Sequence, residues 1–550
     1  MSLANQLFLI LFNSRMSKSR MTSRCKMSSG TVTSEGKKSP MNEKRNSSLI
    51  NKESSAPVPV QGSCHFFNDE SETASIRQNL LMWYDRCKRD LPWRRLAESE
   101  PDLNRRAYVV WVSEIMLQQT QVATVIDYYN RWMQKWPTFH VLAEASLEEV
   151  NQMWAGLGYY SRGKRLHEGA QKVVSELKGE MPQTSEALQK LLPGVGRYTA
   201  GAISSIAFGQ VTGVVDGNVT RVLCRARSIG ADCTSQAVTE VLWTLANALV
   251  DPERPGDFNQ AMMELGAKVC TPKSPDCSEC PLKNHCRAYK QVEKELDTSF
   301  RWLLGKEVAS KTTVDIEECD SSGNCSLCLL SATPWESSLG VMNFPRKPVK
   351  KPPRSERTLT CVMERKSSQG ESEYLTVQRP DSGLLAGMWE FPSILLEMEI
   401  SKTKQITLLS ERLGELSRMV VPKHSLQHLG EVVHIFSHIH QTYLVYHAFL
   451  DEGEVANIKE EQEKVPASRW MSDREFSDAA VSTAMKKVFN LYQKRISNKK
   501  DAKKSSRPDK RKRECDAAVE HSFVIKSEEE TGSVKKQLSL YHFIKRLPKE

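Results

Sequence analysis

Four cysteines, Cys270, Cys277, Cys280 and Cys286, crowd into residues 270–286 with the spacing C-x6-C-x2-C-x5-C, and nothing else in the chain restricts its fold so strongly. Thiols this close cannot each be placed by separate elements of structure. They must share one loop, and four thiolates in a loop are the ligand set of an iron–sulfur cube or of a tetrahedral zinc ion. Spacing alone leaves both open. A second group, Cys319, Cys325 and Cys328, is spaced C-x5-C-x2-C and is one ligand short of a closed tetrahedral site. Seven of the 14 cysteines fall in these two groups, which suits metal binding in a reducing compartment better than a secreted disulfide framework.

The chain around this loop is modular. Its 550 residues, 39% of them hydrophobic, suffice for two or three domains plus tails. Residues 1–73 are rich in Ser, Lys and Asn and read as a disordered leader. Its first 34 residues hold no Asp or Glu but place Arg15, Lys18, Arg20, Arg24 and Lys26 behind the apolar stretch Leu7 to Phe12. That order fits a candidate mitochondrial presequence better than a secretory signal. Between 74 and 290, apolar residues recur at helical spacing over 107–136, 147–177, 185–192, 198–208, 219–228 and 238–249, so an all-helical domain is expected. Residues 291–355, with the second cysteine group and Pro345, Pro348, Pro352 and Pro353, read as a connector.

Alternation sets in at 356–496, with strands expected over 358–364, 374–379, 431–437 and 442–450 and helices over 406–416 and 480–492, which makes a separate α+β domain. The tail 497–550 carries Lys503, Lys504, Arg507, Lys510, Arg511, Lys512 and Arg513, a two-part basic cluster of the nuclear-address type. A net charge of +10 favours a polyanionic partner, although much of the excess sits in the tails. No run of 18 apolar residues is present, so no membrane span is expected.

Three short segments carry chemistry. Leu192-Pro-Gly-Val-Gly196 sits between two helical patterns, so Gly194, Val195 and Gly196 can form a tight turn whose amides hold a phosphate at a helix start. A plain helix–helix connector has the same glycines. Asp216 precedes a helix, where capping alone would explain it. Glu114 is set inside Val109-Val-Trp-Val-Ser-Glu-Ile-Met-Leu117, surroundings that raise a carboxyl pKa toward the range of a general acid. Two carboxylates in unlike environments suit glycosidic bond cleavage, one protonating the leaving group while the other stays anionic beside the cationic sugar.

With the hairpin, the aspartate and the four cysteines in this order, residues 74–290 resemble the endonuclease III superfamily of helix-hairpin-helix DNA glycosylases. Trp111-Val-Ser-Glu-Ile-Met-Leu-Gln-Gln-Thr-Gln121, Gly156-Leu-Gly-Tyr-Tyr160 and Val215-Asp-Gly-Asn218 are similar to the MutY adenine DNA glycosylases of eukaryotes, and the likeness extends over about three-quarters of the chain. It implies an all-α helix-hairpin-helix glycosylase domain with a 4Fe-4S cluster, joined to an α+β Nudix-like domain that recognises 8-oxoguanine. The substrate it implies is double-stranded DNA with adenine opposite 8-oxoguanine or guanine.

By resemblance, Glu114 protonates the purine, Asp216 stabilises the sugar, and Tyr198 and Asn218 order the water and the carboxylates. Arg89, Leu91, Trp93, Arg94, Gln119, Val122 and Glu264 match the pocket of the everted adenine, and Tyr159 the wedge beside the partner base. Bifunctional relatives place a lysine where Tyr198 stands, so a monofunctional enzyme is expected. The resemblance also implies a zinc ion on Cys319, Cys325 and Cys328, with His65 or Cys64 as fourth ligand.

Gln378-Arg-Pro-Asp-Ser-Gly-Leu-Leu-Ala-Gly-Met-Trp-Glu-Phe-Pro392 resembles a Nudix substrate loop, but helix 406–416 offers only Glu411 and Glu415 in place of a metal-binding Arg-Glu-x-x-Glu-Glu, which argues against pyrophosphate hydrolysis. Phe436, Ser437 and His438 match the loop that contacts the lesion. Gln537, Leu540, Phe543 and Ile544 resemble a sliding-clamp motif, departing at Ile544. Further partners implied are a checkpoint clamp on the connector and mismatch-repair, single-strand-binding and AP-endonuclease proteins. Nucleus and mitochondrion are the expected locations. Two other readings stand against this one, a bifunctional pyrimidine glycosylase and a DNA-binding scaffold without activity.

Overall fold

The computed structural model describes residues 65–304, 325–329, 334–347, 352–380, 382–436, 438–450 and 467–505, the side chains of 303 and 498–505 excepted. The leader to 64, Cys319, Ser437, most of the basic tail and the motif at 537–544 lie outside them.

The first part is helical: α1 Glu70–Cys87, α2 Pro92–Ser99, α3 Leu103–Leu117, α4 Val122–Lys135, α5 Phe139–Ala143, α6 Leu147–Trp154, α7 Ser161–Ser175, α8 Ser185–Leu191, α9 Arg197–Phe208, α10 Gly217–Ala226, α11 Gln236–Leu249, α12 Pro255–Lys268 and α13 Arg287–Leu303. Local chemistry sets the starts. Asp69, Asp102, Ser146 and Ser235 accept hydrogen bonds from first-turn amides, and Pro92 and Pro255 open helices that need no N–H there. After its polar first turn, helix α3 buries each residue from Ala107 to Met116, so it lies at the centre.

These helices enclose two cores. One is built from 91–207, including Trp111, Tyr129, Trp132 and Trp154. The other joins Ile76, Leu80 and Tyr84 of α1 to residues between Val219 and Phe344. The cleft described below lies where they meet. Among the described residues no helix is long and apolar enough to cross a membrane.

Four expectations need correction. The helical stretch 107–136 breaks after Leu117, because Gln119 takes a left-handed φ of 55°. The stretch 147–177 breaks after Trp154, at a turn with Gly156 (φ 97°), Gly158 (φ 79°) and Tyr159 (φ 48°). The helical domain starts before 74: Asp69 caps α1, and His65 is already buried. Residues 291–355 are not a plain connector, since α13 runs to Leu303 and Leu327, Val341 and Phe344 pack into the second core.

The second part is one mixed sheet of β1 Arg354–Lys366, β2 Ser372–Gln378, β3 Trp389–Glu390, β4 Ser393–Leu396, β5 Gln427–Ile435, β6 Ile439–Leu450 and β7 Ser468–Ser472, in the order β3-β2-β1-β6-β5, with β4 on β1 and β7 on β2. The central pair β1–β6 is parallel and the other pairs are antiparallel. Alternation along β1 sends Leu359, Cys361 and Met363 to one face and Val362 to the other. Helix α14 Lys402–Ser417 covers the first face with Leu409, Leu413 and Leu416. The second face is covered by α15 Asp473–Asp478 and α16 Thr483–Ser505, through Phe476, Met485, Val488 and Phe489.

Candidate active site and cysteine loop

A cleft of about 1040 Å3 opens between the two helical cores, and its walls bring together Arg89, Leu91, Trp93, Arg94, Glu114, Gln119, Val122, Tyr159, Tyr198, Asp216, Asn218 and Glu264. These are all the catalytic and base-pocket candidates named from sequence, drawn from segments up to 175 residues apart.

Small residues make the centre possible. Helix α9 buries Thr199, Ala200, Gly201, Ala202, Ser204 and Ser205 and packs against α3, which sets Tyr198 beside Glu114. The Tyr198 hydroxyl donates to Glu114 Oε2 at 2.7 Å, and the same hydroxyl lies 3.0 Å from Met263 Sδ. Burial pushes the Glu114 carboxyl up to about 7 against the Tyr198 bond, and the charge of Asp216 adds to the rise. At neutral pH the group is poised between its acid and its anion.

Asp216 is the N-cap of α10. Its Oδ1 accepts from the amides of Asn218 (2.8 Å) and Val219 (2.7 Å), and its Oδ2 from Asn218 Nδ2 (2.9 Å). Capping and placement in the cleft are therefore one arrangement. Burial raises its pKa too, although these donors and the Arg221 charge oppose the rise. Both carboxyls are raised, and the environments differ in their donors: Glu114 accepts from Tyr198, whereas Asp216 accepts three N–H bonds that favour its anion. Gly266 on α12 allows this packing, since a Cβ there would lie 2.6 Å from that of Asn218.

Glu264 is fully buried, and both its oxygens are engaged. Arg89 binds it through Nε (2.6 Å) and Nη2 (2.8 Å), and Arg94 through Nη2 (3.0 Å). Burial would raise its pKa, but these partners outweigh it and the net shift is downward. What the cleft presents is two arginines held by a carboxylate. At the rim, the Tyr159 hydroxyl donates to Gln119 Oε1 at 2.9 Å, and both residues have left-handed backbone. Gly194 (φ 77°) and N-cap Gly196 form the turn before α9, whereas the Val195 side chain is buried, so only backbone there can face a phosphate.

Sequence reasoning missed two positioning arginines. Arg162 Nη1 donates to the carbonyls of Ile115, Met116 and Gln118 at the end of α3, and burial brings its pKa down to about 10. Arg221 donates to Asn218 Oδ1 (2.9 Å) and to the carbonyl of Cys270 (2.7 Å), tying the cleft to the cysteine loop. Their only signals were basic residues three positions past Tyr159 and five past Asp216.

The four sulfurs of Cys270, Cys277, Cys280 and Cys286 line one small cavity with Val269, Tyr289 and Arg225, whose Nη1 lies 3.3 Å from Cys270 Sγ. Burial pushes the Cys280 and Cys286 thiols up to about 12, so thiolates here need a cationic centre. That donor set fits an iron–sulfur cluster. Elsewhere His65, Cys325 and Cys328 place ligand atoms within 4.8 Å of one another. His65 Nδ1 lies 2.7 Å from the Arg227 carbonyl, which leaves Nε2 toward Cys328 Sγ at 3.2 Å. In the second domain, Phe436 N–H donates to the Ile439 carbonyl at 2.8 Å, so Phe436 and exposed His438 sit on the β5–β6 turn.

Comparison with known proteins adds to this geometry. Residues 112–248 match the HhH-GPD superfamily of base excision DNA repair proteins, 270–286 the iron-sulfur binding domain of endonuclease III, and 366–491 the NUDIX domain. The adenine DNA glycosylase of Mus musculus is 58% identical over 80% of this chain and 82% of its own length. That of Homo sapiens is 58% identical over 78% and 76%, and that of Arabidopsis thaliana 42% identical over 67% and 56%.

Proposed function

The chain belongs to the adenine DNA glycosylases, enzymes of base excision repair, and from that premise we propose that it releases adenine paired with 8-oxoguanine, and with guanine. A stacked base hides its glycosidic bond, so the adenine must swing into the cleft, at a cost of about a few kcal/mol that a mispair lowers. The observation that carries the reading is the meeting of Glu114, Tyr198 and Asp216 in one cleft.

Protonated Glu114 gives its proton to the purine, the C–N bond breaks, and the electron pair leaves with the base. Asp216, held anionic by three N–H donors, faces the cationic sugar while Tyr198 and Asn218 hold the water that completes hydrolysis. Arg89, Leu91, Trp93, Arg94, Val122 and Glu264 shape the base pocket, and Tyr159 with Gln119 wedges beside the partner base. Backbone of Gly194 to Gly196 at the start of α9 holds a phosphate. With a tyrosine at 198, no amine is placed to form a Schiff base, so the product is an abasic site.

Phe436 and His438, on the β5–β6 turn, read 8-oxoguanine, together with Ser437 between them in the sequence. In single-turnover assays the iron-replete chain should release adenine faster opposite 8-oxoguanine than opposite guanine, without a borohydride-trapped adduct. Phe436→Ala should narrow that ratio by about tenfold, the worth of about 1–3 kcal/mol for one contact to a base. Equal losses on both duplexes would remove the recognition role.

Zinc is proposed on His65, Cys325 and Cys328, with Cys319 as a further thiol; the Arg227 carbonyl orients the His65 ring. Elemental analysis should find one zinc per chain, lost in His65→Ala. For the segments outside the described residues, the motif with Gln537 and Phe543 docks a sliding clamp, and the leader and basic tail direct the chain to mitochondrion and nucleus. Deleting each segment and scoring clamp capture or organelle fractions would expose an error.

A further inference from the structure

Two consecutive residues of the second domain belong to different cores. Trp389 packs with Phe391 and Val481 under the sheet, whereas Met388, fully buried, joins the core of residues 91–207. The turn presenting them is stiff: Gly383, Leu385 and Gly387 have φ of 89°, 59° and 70°, and the Arg379 amide donates to the Met388 carbonyl at 2.9 Å. Beside this plug, the Arg469 guanidinium stacks 4.3 Å from the Trp389 ring. Glu148 Oε1 accepts from Arg469 Nη2 at 3.0 Å and from Trp389 Nε1 at 3.3 Å.

Glu148 lies in the first turn of α6, a rod of eight residues and about 12 Å that leads into the turn carrying Tyr159. The far end is fixed as firmly as the near one, since Trp154 Nε1 and Arg162 Nη2 both donate to the Gly158 carbonyl at 3.0 Å. One helix thus runs from the second domain to the hydrogen-bonded turn that carries Tyr159 at the rim of the cleft.

We infer that Glu148, Arg469 and Trp389 form a positioning couple through which the second domain sets the place of Tyr159. The couple makes excision respond to the base opposite adenine. The inference rests on the reading that this domain recognises 8-oxoguanine. Met388 holds the domains together, so loosening the couple alters alignment without separating them.

The test is a kinetic cycle in the full iron-replete chain, with Glu148→Ala, Arg469→Ala and the double variant, each assayed in single turnover on adenine:8-oxoguanine and adenine:guanine duplexes. Both side chains are about 40% exposed, so the expected effect is modest: about a fivefold fall in the rate ratio, taken from the 8-oxoguanine duplex. The double variant should be no worse than either single one. A merely structural defect would slow both duplexes alike and lower the melting temperature, and that outcome overturns the couple. So does a wild-type ratio kept by all three variants, or single losses that multiply. A wild-type chain that shows no preference overturns the recognition reading itself, and this inference with it.

Discussion

Glu114→Gln should lower the single-turnover rate of adenine release by about 10³, within the range supplied by a general acid, and yet give a protein that resists urea better than its parent above neutral pH. The two effects share a cause. Burial holds the Glu114 carboxyl up at about 7 against an ordinary 4.5, so the folded chain prefers its protonated form. A carboxyl raised in this way contributes full stability below its unfolded value and loses it as pH rises through the folded value. The Asp216 shift has the same sign. Two to three pKa units correspond to on the order of 3 kcal/mol, which glutamine never forfeits because it never ionises. Parent and variant should therefore match near about pH 5 and diverge by about pH 8. Release by the parent should decline as pH rises through about 7, since the acid must carry its proton. Identical urea midpoints at both pH values would show that the carboxyl is not buried in solution.

Cys280→Ser should be nearly as damaging, through the fold. The iron–sulfur cluster is held in a loop packed against Val269, Leu282 and Ala288 of the second core, and metal binding there is folding free energy. Losing one ligand should remove the cluster and on the order of 5 kcal/mol or more. The damage should reach the cleft. Arg225 joins Cys270 Sγ, the Thr271 carbonyl (2.8 Å) and the Phe344 carbonyl (3.0 Å), and Arg221 joins the Cys270 carbonyl to Asn218. Iron content, urea midpoint and adenine release should fall together. An iron-free variant that keeps the parental midpoint would refute a structural cluster.

What the sequence made legible was local. Glu114 stands out because, Ser113 apart, the residues around it from Val109 to Leu117 are apolar, and Asp216 because it precedes a helix start. The break near Tyr159 went unread, although Gly156 and Gly158 mark it. The break at Gln119 has no such mark, because no glycine or proline accompanies its left-handed backbone. Long-range pairings were illegible for a different reason. Glu264 meets Arg89 across 175 residues and Glu148 meets Arg469 across 321, and a lone charged residue does not name its partner. The segments at 325–329 and 334–347 show no helical or strand periodicity and fall in the stretch expected to be a connector, yet Leu327, Val341 and Phe344 give them a seat in the helical core.

The two helical cores also dictate an order of events during synthesis. Residues 91–207 are contiguous and can collapse as they emerge, but Ile76, Leu80 and Tyr84 precede them and wait for partners that begin at Val219. At about 10 residues per second, that delay is on the order of 15 s. Throughout it the greasy side of α1 has no seat, and the seat is finished only when the cysteine loop closes on its metal. A newly made chain starved of iron should therefore linger with that helix uncovered, which makes it a natural client for chaperones.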